Sequence, residues 1–379
     1  MKKPRRDKST NHLSIEEIQK QIDDENVCDM IRRKSIVDAI KLLGGLTLGA
    51  GILSRMGVTL ADTKWIEPEK DEKKKQPENK STAQKTQPTG KSRIVDIFSK
   101  NSVDSSGVGK DGPVHDMLNR AMMDLTGEKD IARAFKTVAR TGDRVGIKVN
   151  CISGGNLSTQ VPVVMAIVDG LIKAGVTPGD IIIWDRTDRE LRNAGFTIST
   201  GTGSVRCFGT TGYESRENDI NGTRFKLSKI LTEEIDVLIN VPLMKHHGSS
   251  GVTMSLKNHY GSINNPGNQH QNSCDPHIAN INSHNVIKSK TKLIVLDALR
   301  AQCNGGPSNN EKWKWNPSRI LVGFDPVAIE RIGADILDER RLETGLKSLG
   351  NQLKHIITAA GLGLGTDDRS QIEWKKVVV

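Results

Sequence analysis

Short apolar runs alternate with amphipathic stretches from about residue 141 to the carboxyl end of this chain. Four runs are short and rich in Ile, Val and Leu, which predicts buried strands: DRVGIKVN, DIIIWDRT, IDVLINV and KLIVLDAL. Two longer stretches predict a helix and a strand that runs into a helix: PVVMAIVDGLIKAG and RILVGFDPVAIERIGADIL. The alternation predicts an α/β fold, with a mainly parallel sheet, helices on both faces and Rossmann-like layers.

Polar side chains stand at the predicted carboxyl ends of five strands. In chain order they are Lys148 with Asn150, Asp185, residues 245–247, Asp297 and Asp325. In open parallel sheets, ligands bind outside the carboxyl ends of the strands, so the five positions predict one polar cleft. For any single position a simpler interpretation stays open: Asp185 or Asp325 caps the helix that follows, and Lys148 lies on a rim.

The residue types of this predicted cleft favour a small anionic ligand, a carboxylate or a phosphate. Three lysines bring positive charge and two asparagines bring hydrogen-bond donors: Lys148, Lys245, Lys257, Asn150 and Asn258. Two glycine-containing loops have backbone N–H groups that approach an anion closely: residues 151–159, and residues 301–310 with Gly305 and Gly306. Neither loop is a P-loop or a GxGxxG fingerprint, so nucleotide binding is not supported. Three aspartates at the strand ends could instead hold a hard cation or orient histidines: Asp185, Asp297 and Asp325.

Histidines are concentrated in one part of the chain. Six of the nine lie between residues 246 and 284. Neutral imidazole is the commonest metal ligand in proteins, so a transition-metal site is a second hypothesis, with His247, His259, His270 and His277 as its ligands. The alternative is that these histidines are ordinary hydrogen-bonding residues of a polar loop, because no compact ligand spacing such as HExxH is present.

The first 92 residues differ in composition from the rest. Residues 30–61 have the order of a twin-arginine export signal: Arg32 and Arg33, a weakly apolar run over 42–53, and a small-residue end with a possible cleavage site after Ala61. The apolar run is too short to span a membrane. The prediction is transport by the twin-arginine (Tat) translocase to a periplasmic or other extracytoplasmic location. The alternatives are a cytosolic amphipathic helix, and Met30 as the true start.

The composition divides the chain into three predicted segments. Residues 1–61 are the predicted signal region, residues 62–92 are a charged linker with almost no apolar residues, and residues 93–379 are the folded domain. The net charge of +10 and the pI near 9.3 favour acidic partners. Basic and acidic residues are interspersed, however, and no zinc-finger or RNP motif is present, so no nucleic-acid partner is predicted.

The cysteines leave several arrangements open. The predicted domain contains Cys151, Cys207, Cys274 and Cys303, which form two disulfides in one of three connectivities or stay single thiols. No CxxC motif is present. The sequence therefore predicts no ferredoxin-type iron-sulfur cluster of its own, because such a cluster needs closely spaced thiolates.

A series of short motifs occurs in a fixed order along residues 93–379. They are KVN at Lys148, VPVV at Val161, the strand-ending Asp185, NVPLMKHH at Asn240, T-x-x-LKN-x-x-G from Thr253, LDAL at Leu296, GGP at Gly305 and DPVAIE at Asp325. In these motifs the chain resembles the DUF362 family, which is named for its lack of an established general function. The family pattern P-x-x-K-x-H matches at Pro242, Lys245 and His247, which leaves His246 as the less certain histidine of the adjacent pair.

The resemblance implies a redox context. Members of the family often occur near iron-sulfur proteins, and many carry a C-terminal cluster segment. This chain has no cysteine after Asp335, so any redox role needs an external partner, such as an exported redox protein, or a separately bound cofactor.

Three functions stay open from the sequence. The first is an exported enzyme whose cleft binds an anionic small molecule or a metal-anion pair. In it Lys245 is the electrophile and His247 the acid or base, with Lys148, Asn150, Lys257 and Asn258 positioning the ligand. The second is a binding or accessory protein that carries a cofactor for exported redox enzymes. The third is a structural protein of the cell envelope. Sequence features do not separate the first two.

Overall fold

The computed structural model describes residues 90–155 and 157–379. The predicted signal region and residues 62–89 of the predicted linker lie outside the described residues. The first strand begins at Ser92, within one residue of the predicted start of the domain. Among the helices that the structure describes, none is long and apolar enough to cross a membrane.

The described residues form an eleven-stranded sheet and a separate two-stranded hairpin, with helices between the strands. The strands are β1 (Ser92–Phe98), β2 (Val145–Lys148), β3 (Ile181–Asp185), β4 (Arg206–Gly209), β5 (Asn218–Ile220), β6 (Thr223–Phe225), β7 (Val237–Asn240), β8 (Leu243–His247), β9 (Gly251–Thr253), β10 (Thr291–Gln302), β11 (Lys314–Trp315), β12 (Arg319–Gly323) and β13 (Ile372–Val378). The helices are α1 (Asp111–Thr126), α2 (Ile131–Lys136), α3 (Val161–Lys173), α4 (Asp188–Asn193), α5 (His277–Asn282), α6 (Asn285–Lys290), α7 (Pro326–Glu343) and α8 (Lys354–Gly361).

The main sheet is mostly parallel. Its central order is β13-β1-β12-β10-β7-β2-β3-β4. Along this order β12 pairs antiparallel with both β1 and β10, and the other neighbouring strands pair parallel. Strand β8 continues the path of β7 beside β10, and β9 folds back on β8 as an antiparallel partner.

Apolar residues cover both faces of this sheet. In β3, Ile181 and Ile183 belong to the core that contains α1 and α3, whereas Ile182 and Trp184 belong to the core that contains α5, α7 and α8. This follows from the period of two along a strand, which sends successive side chains to opposite faces. A strand buried on both faces must be apolar throughout, which explains the continuous IIIW run. The predicted α/β fold is confirmed.

Two of the five predicted strand-end positions do not contribute a side chain to the cleft. Asp297 lies in the middle of β10, because this strand runs on beyond the end of β7 and pairs with β8. Asp325 does follow the end of β12, but β12 is antiparallel to β10, so its carboxyl end lies at the opposite edge of the sheet. Four of the five predicted positions therefore lie at one edge, and of these Asp297 is on the face of Val295 and Leu299 and accepts from the backbone N–H of Gln160.

Candidate functional site

A cavity of about 210 Å³ opens at the edge where β2, β3 and β8 bring their polar residues together. A cavity of this size suits a small ligand. The predicted residues that line it are Lys148, Asn150, Asp185, Lys245, His247, Lys257, Asn258 and His270. Most of the predicted anion site is thus brought together.

Lys148 and Asp185 form a buried ion pair on neighbouring parallel strands. Lys148 Nζ donates to Asp185 Oδ1 at 2.6 Å and to the carbonyl oxygen of Val149 at 2.6 Å. Asp185 Oδ2 accepts from the backbone N–H of Cys151 at 2.6 Å. The two side chains are 1% and 4% exposed, so water does not screen their interaction. The Lys148 charge is neutralised within the protein, and this lysine is the least available of the three for a ligand.

Gly261 covers this ion pair. A Cβ atom added at Gly261 would lie 2.6 Å from Lys148 Nζ and 2.9 Å from Asp185 Oδ1. The residue belongs to the 3₁₀ segment Lys257–Ser262, which passes directly over the strand ends. This contact explains on steric grounds why the LKN-x-x-G motif ends in glycine.

A chain of side-chain amides fixes the floor of the cavity. Asn150 Oδ1 accepts from Lys245 Nζ at 2.9 Å, and Asn150 Nδ2 donates to Asn258 Oδ1 at 3.0 Å. Asn258 Nδ2 donates to Asn240 Oδ1 at 2.7 Å, and Asn240 Nδ2 donates to the carbonyl oxygen of Ser255 at 2.8 Å. Each amide uses its oxygen as acceptor and its nitrogen as donor, so the series determines the orientation of every member. Lys245 is held at its end.

Lys245 is fully buried and its partners are neutral. Its Nζ donates to Asn150 Oδ1 and, at 2.8 Å, to Ser153 Oγ. Burial lowers the pKa of Lys245 to about 8, because removing the ammonium from water costs free energy that the nearby charge of Asp185 recovers only in part. An anion in the cavity would supply the missing counter-charge.

Lys257 occupies a similar position on the other side of the cavity. Its Nζ lies 3.6 Å from the centre of the Tyr260 ring and donates to His270 Nε2 at 3.3 Å. It also lies 3.5 Å from Cys274 Sγ. Burial lowers the pKa of Lys257 to about 8. No carboxylate is paired with Lys257 among the residues that the structure describes.

His247 is held as a neutral ring near both lysines. Its Nδ1 accepts from the backbone N–H of Ser249 at 3.1 Å, which leaves the proton on Nε2. The pKa of His247 falls to about 2, first through burial and then through the positive charges of Lys257, His270 and Lys245. The ring stacks on His270 with centroids 5.3 Å apart. By contrast, His246 accepts from the backbone N–H of Gly306 at 3.2 Å and does not line the cavity.

The structure brings together two of the four histidines predicted as metal ligands. His247 and His270 line the cavity, but His259 Nδ1 lies 3.2 Å from Ser262 Oγ and His277 Nδ1 lies 3.0 Å from Thr223 Oγ1. The 3₁₀ segment and α5 turn these two rings to other partners. Within residues 90–155 and 157–379, no group of three or more His, Cys, Asp or Glu side chains is arranged to hold a metal ion.

Four other predicted ligand-binding residues have structural roles outside the cavity lining. Asp297 accepts from the backbone N–H of Gln160, just before α3, and from that of Leu299 in β10, and burial raises the pKa of Asp297 to about 6. Asp325 caps α7 by accepting from the N–H groups of Val327 and Ala328. The two glycines pack against neighbouring protein atoms instead of a ligand: Gly305 against Asn310, and Gly306 against the backbone of His246.

The sequence analysis did not identify several residues at the cavity as site residues. They are Thr253, Arg186, Tyr260 and Gly261, which line it, and Ser153, whose Oγ accepts from Lys245 Nζ. Two of them belong to the T-x-x-LKN-x-x-G motif, and that motif was the available signal for Thr253 and Gly261. Arg186 follows Asp185 directly, and Glu190 binds its guanidinium at 2.5 Å.

The cysteines give no site of their own. Cys151, Cys207, Cys274 and Cys303 are buried free thiols in the structure. Burial raises the pKa of Cys151 well above its usual value, and the neighbouring charge of Asp185 acts in the same direction. A thiol kept protonated is a poor nucleophile, so Cys151 is a packing residue.

A family model matches the part of the chain that contains these residues. The family model described as Domain of unknown function (DUF362) matches residues 145–335, about half of the chain. This range contains every residue predicted for the cleft. One solved structure similar to the chain is the crystal structure of a Thermotoga maritima protein, with 10% sequence identity and a TM-score of 0.35. The match covers 57% of this chain and 57% of that protein. No curated protein matches the chain in sequence.

Proposed function

The chain belongs to the DUF362 family, and we propose that its cavity binds a small molecule that carries a carboxylate or phosphate group. The observation that carries the proposal is Lys245, a fully buried ammonium whose hydrogen-bond acceptors are both neutral. Such a charge is costly without a counter-ion, and an anionic ligand provides one.

The charges around the cavity support the same ligand. Four cationic side chains and one carboxylate line it: Lys148, Arg186, Lys245, Lys257 and Asp185. Lys148 is neutralised by Asp185, and Arg186 by Glu190. The charges of Lys245 and Lys257 are left for a ligand, and both lie close enough to His247 to lower its pKa. A ligand with two negative charges would match these two lysines.

The test is a calorimetric titration of the full chain with inorganic phosphate and with malonate. We expect Lys245→Met to weaken binding by about tenfold or more, because a charge-assisted hydrogen bond contributes roughly 1.5–3 kcal/mol. The matched control is Lys136→Met, which removes an exposed lysine of α2 that does not line the cavity. Equal affinity of the wild type and Lys245→Met would reject the proposed site.

One further observation extends the proposal from binding to catalysis. Lys245, with a pKa of about 8, changes its protonation state near neutral pH, and the neutral His247 keeps a proton on Nε2. A lysine with a pKa near the operating pH transfers protons efficiently, and the neutral His247 can donate a hydrogen bond to a developing negative charge. Mass spectrometry of a panel of small carboxylates and phosphates should therefore reveal a compound that the wild type converts and that His247→Gln and Lys245→Met do not. Binding without conversion would instead fit the accessory role.

We also propose export through the twin-arginine route. The support is the sequence around Arg32 and Arg33, which precedes a weakly apolar run and a small-residue end. An exported protein of this class would bind its anion outside the cytoplasm.

A further inference from the structure

Thr253 has a buried hydroxyl group without a hydrogen-bond partner. The residue is 5% exposed, lines the cavity, and its Oγ1 has no partner among the described residues. Buried hydroxyls in folded proteins are nearly always paired, since an unpaired one forfeits its bonds to water. The exception at Thr253 therefore requires an explanation.

The side chain of Thr253 lies on the same face of the sheet as that of Lys245. Thr253 and Lys245 are directly opposite each other in the antiparallel β8-β9 ladder. Directly opposed side chains share one face of a ladder, with Cβ atoms about 4.5–5.5 Å apart. The neighbours Val252 and Met254 are fully buried in the apolar core, because alternate side chains of β9 point the other way.

Lys245 also keeps one donor unused. An ammonium group has three N–H donors, and Lys245 Nζ uses two of them, toward Asn150 and Ser153. Two donors on two residues that line the cavity thus have no acceptor in the part of the chain that the structure describes. One of them is charged, so the matching acceptor is an anionic group.

We propose that Thr253 is a specificity-determining residue whose hydroxyl binds one oxygen of an oxyanion head group, while Lys245 binds a second oxygen of the same group. The inference rests on the proposed function and deepens it, since it assigns the head group to one end of the cavity. Carboxylate and phosphate share the required chemistry, two acceptor oxygens on one atom. Lys257 and His270 then contact the remainder of the ligand.

The fold does not need this hydroxyl. Valine has nearly the shape of threonine and the same preference for strands. Thr253→Val should therefore leave the unliganded protein as stable as the wild type or more stable, because it removes an unpaired polar group. Binding should respond in the opposite direction. This pair of opposite effects distinguishes a ligand contact from a structural hydrogen bond.

The experiment compares wild type, Thr253→Val and Thr253→Ser, each titrated with inorganic phosphate and with malonate and each melted without ligand. We expect Thr253→Val to bind about tenfold more weakly, and Thr253→Ser, which keeps the hydroxyl, to stay within about threefold of the wild type. The melting temperature of unliganded Thr253→Val should equal or exceed that of the wild type.

The outcomes separate this inference from the proposed function. Loss of affinity for one probe alone in Thr253→Val supports the inference and identifies the head group. Wild-type affinity in Thr253→Val, with Lys245→Met still impaired, overturns the role of Thr253 and leaves the proposed function standing. A lower melting temperature of unliganded Thr253→Val also overturns it, since the hydroxyl would then be paired within the fold. If the wild type binds neither probe, both proposals fail together.

Discussion

Lys148 Nζ lies 2.6 Å from Asp185 Oδ1, and the two side chains are 1% and 4% exposed. The pair joins neighbouring strands β2 and β3 beneath the cavity, and Asp185 also accepts from the backbone N–H of Cys151. A pair in this position does more to fix the strand ends than to attract a ligand, because its charges cancel. Its removal should therefore affect stability first.

Asp185→Asn leaves Lys148 buried and unpaired, and we expect the free energy of unfolding to fall by about 3–5 kcal/mol. Urea denaturation measures this change. The control is Asp236→Asn, which breaks the pair with Arg144 whose side chains are 44% and 47% exposed. That loss should be about 1 kcal/mol or less, since exposed pairs contribute little. Similar losses in both variants would contradict the structural role of the buried pair.

Gly261→Ala should destabilise the protein and weaken anion binding. The added methyl group would lie 2.6 Å from Lys148 Nζ, which the ion pair holds in place, so either the 3₁₀ segment or the pair must move. Overpacking of this kind costs about 1–3 kcal/mol. Gly267→Ala is the matched control, because Gly267 also lines the cavity and an added Cβ meets no atom within 4 Å. Thermal melting and titration with malonate test both variants, and equal behaviour of the two would contradict the prediction.

Anion affinity should fall as the pH rises above about 8. Lys245 and Lys257, each with a pKa of about 8 in the unliganded protein, lose the charge that binds the ligand. For each lysine the affinity for malonate should drop about tenfold between about pH 7 and about pH 9. Titrations over this range measure the effect, and Lys245→Met should show a shallower decline. A flat profile for the wild type would contradict the assignment.

The stability of the unliganded protein should change in the opposite sense. Between pH values of about 8 and about 10.5 the unfolded chain keeps the Lys245 proton, and the folded protein has released it. The cost of the buried charge is therefore present below about pH 8, and this contribution to the free energy of unfolding rises as the pH increases through the range. Urea denaturation of the wild type should show this rise relative to Lys245→Met, which has no such titration.

Asp325→Ala should reduce stability without changing anion affinity. Asp325 accepts from the N–H groups of Val327 and Ala328 at 2.9 Å and from Thr366 N–H at 3.0 Å. It also accepts from Ser92 Oγ at 2.6 Å. Loss of this cap should cost about 1–3 kcal/mol in the free energy of unfolding. A substantial loss of malonate affinity in a folded variant would return Asp325 to the binding site.

Replacing Arg32 and Arg33 together by lysine should keep the precursor in the cytoplasm. The twin-arginine signal depends on the arginine pair, whereas lysine preserves only its charge. The measurement is cell fractionation of a bacterium that expresses the full chain fused to a reporter. The control replaces Arg5 and Arg6, an arginine pair without an apolar run directly after it. Unchanged export of the Arg32 and Arg33 variant would contradict the prediction.

The sequence by itself determined the layers and much of the cleft. Continuous apolar runs such as IIIW in β3 require burial on both faces, and this local property is enough to predict a parallel sheet covered by helices. Polar residues directly after parallel strands must meet at one edge, which correctly grouped Lys148, Asn150, Asp185 and Lys245. These conclusions depend only on side-chain period and chain order.

Only the tertiary structure decided which polar groups remain available to a ligand. The direction of a strand depends on its pairing with distant segments, so the sequence of β12 did not show that Asp325 points to the opposite edge. Whether a polar group is paired also depends on distant residues: Asp185 neutralises Lys148, while neutral partners leave the charge of Lys245 unmatched. Thr253 looks like an ordinary strand residue until the absence of a partner for its hydroxyl within the described residues sets it apart. Local patterns place side chains on a face or at an edge, and long-range packing determines what each of them contacts.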